Sequence, residues 1–231
     1  MVPRCVYGER LSPNEPMKAL GDCRLYTFVD TAYLKGRAPA EVARQLCDGG
    51  ADLVQLRAKG ATPDEVRRLA ETILPVTEKA GVGLVINDHP QVALEVGAPL
   101  CHLGQEDFFE SGFTQATQVT GSPKRVMLGL STHAPEQAQR AIKAVPDYIA
   151  IGPVFATPTK PGRPAATLDY VRWVAANASL PWFAIGGITL ENVEDVLAAG
   201  AIRICVVSAI LNASDVAAAC REFRRRLGEK R

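Results

Sequence analysis

Eight short apolar runs, separated by longer segments of helical periodicity, constrain this chain more than any other feature of its sequence. The runs occupy residues 24–29, 53–56, 83–86, 100–103, 126–130, 148–151, 182–185 and 203–207, and they are rich in Val, Ile and Leu. Such short, continuously apolar runs mark strands buried on both faces, as in a parallel sheet covered by helices. The helical pattern falls on residues 39–47, 63–80, 90–96, 134–144, 167–176, 190–198 and 214–227. Thr62-Pro63-Asp64-Glu65 sets a capping hydroxyl before a proline and two acids, and Thr189-Leu190-Glu191-Asn192 is similar. Gly49-Gly50, Gly81 and Gly200 fall just past helix ends. Residues 107–121 carry the weakest helical signal.

Strand–helix alternation repeated eight times over about 210 residues predicts a (β/α)₈ TIM barrel. The alternative, a doubly wound open sheet, usually shows a glycine-rich fingerprint after its first strand. Here the first strand ends Phe28-Val29-Asp30-Thr31-Ala32. The barrel is expected over residues 23–231. Residues 1–22 hold three prolines and no apolar signal-peptide core, and are expected as an N-terminal extension outside the fold.

The 231 residues are 47% apolar, enough for a substantial core, and their charges are interspersed with a net of +1. Nothing favours nucleic acid or a membrane surface globally, and no run of about 18 apolar residues suggests a membrane span. Six cysteines lack any CxxC pair and mostly sit inside apolar runs, which fits buried thiols in a reducing cytoplasm rather than a disulfide framework.

In a barrel, catalytic residues come from the C-terminal ends of the strands. That rule selects the polar clusters that follow the apolar runs. After the second run come Gln55, Arg57 and Lys59, which at period two project to one side. Arg57 offers a planar fork and Lys59 a point charge, and together they suit phosphate oxygens; the alternative puts both on an exposed loop. After the third and fourth runs come Asn87-Asp88 and Asp107. Carboxylates from adjacent strand ends suit Mg²⁺, which takes one or two of them plus substrate phosphates. The competing reading makes Asp88 the cap of the helix begun at Pro90 and Asp107 a solvated loop acid. Asn87 can read a heterocycle edge. His102 has no partner at metal-ligand spacing, which favours a hydrogen-bonded interior or strand-end histidine. His89 and His133 are undecided.

Ser131-Thr132 can bind a phosphate oxygen or cap the helix from Ala134, one residue doing each. The loop from Gly152 to Gly162 is long and carries Thr157, Thr159 and Lys160. It can act as a lid that swings Lys160 over a pyrophosphate, or be merely a long surface loop. Finally, Gly186-Gly187 and Val207-Ser208 follow the last two runs, where barrels often bind phosphate through backbone N–H groups. Two anion sites at one mouth imply two phosphorylated substrates, or one with phosphates at both ends.

The strings Val54-Gln55-Leu56-Arg57-Ala58-Lys59, Ile86-Asn87-Asp88, His102-Leu103-Gly104-Gln105-Glu106-Asp107, Gly129-Leu130-Ser131-Thr132-His133, Gly152-Pro153-Val154-Phe155-Ala156-Thr157-Pro158-Thr159-Lys160 and Ile185-Gly186-Gly187-Ile188-Thr189 resemble thiamine-phosphate synthase. Each is weak alone; in the family's order they make a specific match. The resemblance implies a transferase of thiamine biosynthesis on a (β/α)₈ barrel. It would join 4-amino-2-methyl-5-(diphosphooxymethyl)pyrimidine to 4-methyl-5-(2-phosphoethyl)thiazole with release of pyrophosphate. It further implies that Asp88 and Asp107 hold Mg²⁺, and that Arg57, Lys59, Ser131 and Lys160 bind the diphosphate as the catalytic set. Gln55 and Asn87 would position the aminopyrimidine. Thr157 and Thr159 would contact the thiazole phosphate, with backbone groups of Gly187, Val207 and Ser208 around it. Partners would be small phosphorylated molecules, with a homodimer as the candidate assembly.

Two positions depart from the family's pattern. Ala58 stands where glutamate is usual, on the face away from Arg57 and Lys59, and His89 replaces a frequent arginine. A thiazole tautomerase of the same lineage tends to lack the magnesium aspartates and the full cationic set kept here. A non-catalytic thiamine-phosphate binder would keep the pocket. An indole or ribulose-phosphate barrel should need a differently placed acid/base pair.

Overall fold

A computed structural model describes residues 16–121, 126–156 and 165–228. Eight parallel strands close into a barrel in chain order: β1 (Leu25–Asp30), β2 (Leu53–Arg57), β3 (Gly83–Asn87), β4 (Leu100–Gly104), β5 (Met127–Thr132), β6 (Tyr148–Ile151), β7 (Trp182–Ile185) and β8 (Ile204–Cys205). The closing pair is β1 with β8, in register Leu25 with Ile204 and Tyr26 with Cys205. The predicted barrel is therefore the observed one. β6 and β7 have the predicted bounds, while β8 is shorter than 203–207 because the backbone leaves the extended region at Val207.

The outer layer holds α1 (Pro39–Asp48), α2 (Pro63–Lys79), α3 (Pro90–Val96), α4 (Gln105–Glu110), α5 (Thr117–Thr120), α6 (Pro135–Lys143), α7 (Thr167–Asn177), α8 (Val193–Ala198), α9 (Ser208–Leu211) and α10 (Val216–Leu227). The capping residues read from sequence act at α2. The Thr62 hydroxyl accepts from the Glu65 N–H, while the Glu65 carboxylate accepts from the Thr62 N–H at 2.7 Å. At α8 the helix starts later than residue 190. Asn192 Oδ1 accepts from the Thr189 N–H and the Thr189 hydroxyl from the Glu191 N–H, which holds that stretch as a turn. The weak 107–121 signal resolves into α4 and α5.

Each helix buries one stripe against the strands: Val42, Ala43 and Leu46 from α1, Val66, Ala70 and Ile73 from α2, Cys220 and Phe223 from α10. A fully buried aliphatic or aromatic side chain contributes roughly 1.5–3 kcal/mol, so these stripes hold the helices in place. Inside the barrel, Tyr26, Tyr148 and Phe183 meet edge to face with ring centroids 5.4–6.1 Å apart.

The floor of the barrel is organised by Asp52, which is almost fully buried. Its carboxylate accepts from the N–H groups of Arg24 and Leu25 at 2.8 and 3.0 Å, from Lys18 at 2.6 Å and from Arg224 at 2.5 Å. Leu20 is buried and Met17 packs against the core. Residues 16–22 thus pack onto the barrel, in contrast to the expected extension outside it, because their apolar and cationic side chains find partners on the floor. Residues 1–15 lie outside the described residues. Among the described residues no helix is long and apolar enough to cross a membrane.

Candidate active site

A cavity of about 400 Å³ opens at the C-terminal ends of the strands. Gln55 and Arg57 reach it from β2 and Lys59 from the loop beyond. Asn87 and Asp88 come from the end of β3, Asp107 from the first turn of α4, and Ser131 from β5. Gly187, Val207 and Ser208 complete the opposite side. Ten of the residues selected from sequence therefore share one cavity. Thr157, Thr159 and Lys160 lie outside the described residues.

The two readings of Asp88 separate here. It does not cap α3: the residue before that helix is His89, with no side-chain cap. Instead the Asp88 carboxylate accepts from Lys59 and from Asn87 Nδ2 at 2.7 Å. Its φ of 62° lies in the left-handed region, where Asp is among the few residues tolerated. The Asp88 N–H is held by the His102 carbonyl at 2.9 Å. Left-handed backbone held by its surroundings is common at functional sites. Asp107 is exposed and sits in a helical turn running straight on from β4, not on a loop.

Ser131 and Thr132 also divide. Neither caps α6, which starts after Ala134 without a side-chain cap. Thr132 bonds the Tyr170 hydroxyl at 2.7 Å, outward toward the helix layer, while Ser131 bonds His102 Nε2 at 3.0 Å and lines the cavity. His102 is thus the hydrogen-bonded interior histidine that its position suggested. His133 lies against the Gly152 carbonyl.

Two features were missed in the sequence. Asp30, at the end of β1, is 1% exposed and accepts from Arg57 Nη1 at 2.7 Å and from the Ala32 N–H at 3.0 Å. It aims the Arg57 fork. Its place at a strand end was the available signal. The second is a row of interior polar groups: Gln55 Nε2 donates to the Tyr26 hydroxyl, Tyr26 meets the Tyr148 hydroxyl at 3.1 Å, and Tyr148 meets His102 Nδ1 at 3.1 Å. Two tyrosines inside apolar runs gave no sign of this. Burial pushes both phenols well above the usual tyrosine range, so they stay protonated.

Gly186 and Gly187 were expected to let the backbone approach a ligand. In the structure they also approach the chain after β6 closely. A Cβ at Gly186, where φ is 105°, would overlap Pro153. Val154 N–H donates to the Ile185 carbonyl at 2.9 Å and Phe155 N–H to the Gly186 carbonyl at 3.0 Å. The glycines therefore dock the start of the β6 loop on β7, and both Gly186 and Gly187 still line the cavity. The buried cysteines carry no disulfide, and burial pushes the thiols of Cys23, Cys101 and Cys220 up to about 12. Cys5 lies outside the described residues.

Comparison with known proteins places this geometry. The family model described as thiamine monophosphate synthase matches residues 25–210. The thiamine-phosphate synthase of Acidothermus cellulolyticus is 45% identical over 214 residues, covering 91% of this chain and 98% of that protein. That of Thermus thermophilus is 48% identical over 180 residues, covering 78% and 84%. Among solved structures, the thiamine phosphate pyrophosphorylase of Pyrococcus furiosus superposes with a TM-score of 0.79 at 28% identity, covering 91% of this chain and 98% of that one.

Proposed function

The chain belongs to the thiamine monophosphate synthase family, a family of transferases, and on that premise we propose that it joins 4-amino-2-methyl-5-(diphosphooxymethyl)pyrimidine to 4-methyl-5-(2-phosphoethyl)thiazole with release of pyrophosphate. The observation that carries this reading is the single cavity shared by Arg57, Lys59, Ser131, Asp88 and Asp107. Cations and carboxylates gathered at one mouth suit a metal-assisted diphosphate leaving group.

In this reading the methylene–oxygen bond of the pyrimidine breaks first, and its electron pair leaves with pyrophosphate. The aminopyrimidine ring delocalises the positive charge left on the methylene carbon. The thiazole nitrogen then attacks that carbon. No enzymic nucleophile is required. The chain's own part is to hold the departing anion where its charge grows. Arg57, aimed by Asp30, contributes its remaining N–H donors, and Lys59 and Ser131 contribute theirs. Lys160 would add a third cation. Gln55 spends its amide on Tyr26, which leaves its carbonyl oxygen to accept from the pyrimidine amino group, and Asn87 would hold the ring's other edge. Thr157, Thr159 and the backbone of Gly187, Val207 and Ser208 would receive the thiazole phosphate.

Asp88 and Asp107 would hold Mg²⁺. The donor set fits that ion: both are hard oxygen donors that line the same cavity, Asp88 just past β3 and Asp107 in the first turn after β4. A cation that completes its shell with substrate phosphates and water needs no more. When bound, Mg²⁺ would neutralise charge on the diphosphate.

The test is pyrophosphate release in the presence of both substrates and Mg²⁺. Turnover is expected from the wild type, whereas a mere binder would hold ligand and release none. Asp107→Ala is expected to lower the rate by about 10² or more. Near-normal turnover of that variant in saturating Mg²⁺ would sink the metal assignment.

A further inference from the structure

The row of interior hydrogen bonds joins side chains from five strands, starting at Gln55 on β2 and ending at Ser131 on β5. We propose that Gln55, Tyr26, Tyr148 and His102 form a polarised relay that turns the Ser131 hydroxyl proton toward the cavity, with His102 as the positioning residue. The proposal rests on the reading above in one respect: the acceptor it supplies is the departing diphosphate.

The direction of the relay follows from what each atom can do. Gln55 Nε2 can only donate, so the Tyr26 oxygen accepts from it. The Tyr26 proton then goes to the Tyr148 oxygen at 3.1 Å. The Tyr148 proton in turn goes to His102 Nδ1 at 3.1 Å. A neutral imidazole with an accepting Nδ1 carries its proton on Nε2, which donates to the Ser131 oxygen at 3.0 Å. Ser131 has then received a hydrogen bond and keeps its own proton to give. The remaining direction for it is the cavity that Ser131 lines. The reversed relay would spend the Ser131 proton on His102 and turn oxygen lone pairs toward the substrate anion, which repels them.

The surroundings are built for this row. His102, Gly129 and Tyr148 are paired across β4, β5 and β6 in the register His102–Gly129 and Gly129–Tyr148. A Cβ at position 129 would fall inside the Tyr148 ring, so glycine there is what lets the phenol lie across β5 to reach the imidazole. Every member is at most 9% exposed, so water does not compete for the bonds. Both phenols remain neutral donors over the working pH range, because burial disfavours the phenolate.

The relay can be read without any turnover. The chain has three histidines, so ¹⁵N-histidine labelling gives three imidazoles, and His102→Gln identifies the signal of interest by its loss. The expected result is a neutral His102 with its proton on Nε2. A proton on Nδ1, or an imidazolium at neutral pH, would overturn the relay. Tyr148→Phe keeps the packed ring and removes one proton. It should release His102 into a mixture of tautomers and lower kcat for pyrophosphate release about tenfold, with KM for the thiazole phosphate unchanged. His102→Gln keeps a donor near Ser131 and should recover much of the activity lost in His102→Ala; equal loss in both variants would count against a positioning role. If the Nε2 proton is found but Ser131→Ala releases pyrophosphate at the wild-type rate, the diphosphate is not the acceptor, and the reading of the site fails rather than the relay.

Discussion

Arg57 is proposed as a phosphate ligand from its place at a strand end, and Asp30 is the residue that fixes it there. A guanidinium on a long side chain loses rotamer entropy when it is fixed. The Asp30 carboxylate, buried on β1 and held by the Ala32 N–H, fixes it in advance. Asp30→Asn should keep the side chain's size and the Ala32 contact while losing the charge. A hydrogen bond to a charged group contributes about 1.5–3 kcal/mol, so pyrophosphate release should fall by about one to two orders of magnitude. The thermal unfolding midpoint should move only slightly. Wild-type turnover would show that Arg57 needs no partner. Asp30 was hidden in the sequence because an aspartate after an apolar run is also the common way to start a turn, and here it accepts the Ala32 N–H as such a residue does.

At the scale of elements, the mouth is shaped by loops docked on strand ends. The chain after β6 is docked on β7 by the bonds from Val154 and Phe155. That docking requires Gly186, whose positive φ and contact with Pro153 exclude any side chain. Gly186→Ala should therefore cost about 1–3 kcal/mol from the left-handed backbone, with the overlap adding to it. It should also weaken binding of the proposed thiazole phosphate, because the displaced loop lines the cavity beside Gly187, whose backbone is proposed to receive it. Urea unfolding with calorimetric titration of the ligand would check both. An unchanged affinity alongside lowered stability would separate the loop from the site. The helices were legible to within a turn because their prolines, caps and apolar stripes are local. The delayed start of α8 was not, since the Asn192 and Thr189 bonds that hold the turn compete with the helix only in the folded geometry.

For the molecule as a whole, the proposed catalytic residues and the charged group that ties the fold together sit at opposite ends of the barrel. The mouth carries the charges proposed for substrate, while the floor carries Asp52, which ties the start of β1 to α10 and to Lys18. Burial alone would raise the Asp52 carboxyl, but bonds from Lys18, from the Arg24 and Leu25 N–H groups and the charge of Arg224 outweigh it and hold it below the usual carboxylate range. A carboxyl lowered in the folded state stabilises above its unfolded value, about 4. That contribution is lost as pH falls from there through the folded value. The unfolding free energy should therefore drop on acidification below about pH 4. Asp52→Asn should be less stable by roughly 3 kcal/mol at neutral pH, with a shallower acid slope. Chemical unfolding over a pH series reads both, and an unchanged acid slope would remove Asp52 from the account.

The order of strands and helices, the closed barrel and most of the residues at its mouth were determined by the sequence alone. Those features rest on short-range periodicity and on a rule that places chemistry at strand ends. Only the tertiary structure decided which of several local roles a polar residue takes. Asp88 turns from cap to cavity because Lys59 and Asn87 stand beside it. Ser131 turns inward and Thr132 outward because successive strand residues face opposite sides. The interior row through Tyr26, Tyr148 and His102 exists only once the barrel closes, since its members come from strands far apart in the chain. Hydrogen bonds between distant residues leave no periodic trace in a sequence, and buried aromatic hydroxyls read there as ordinary core.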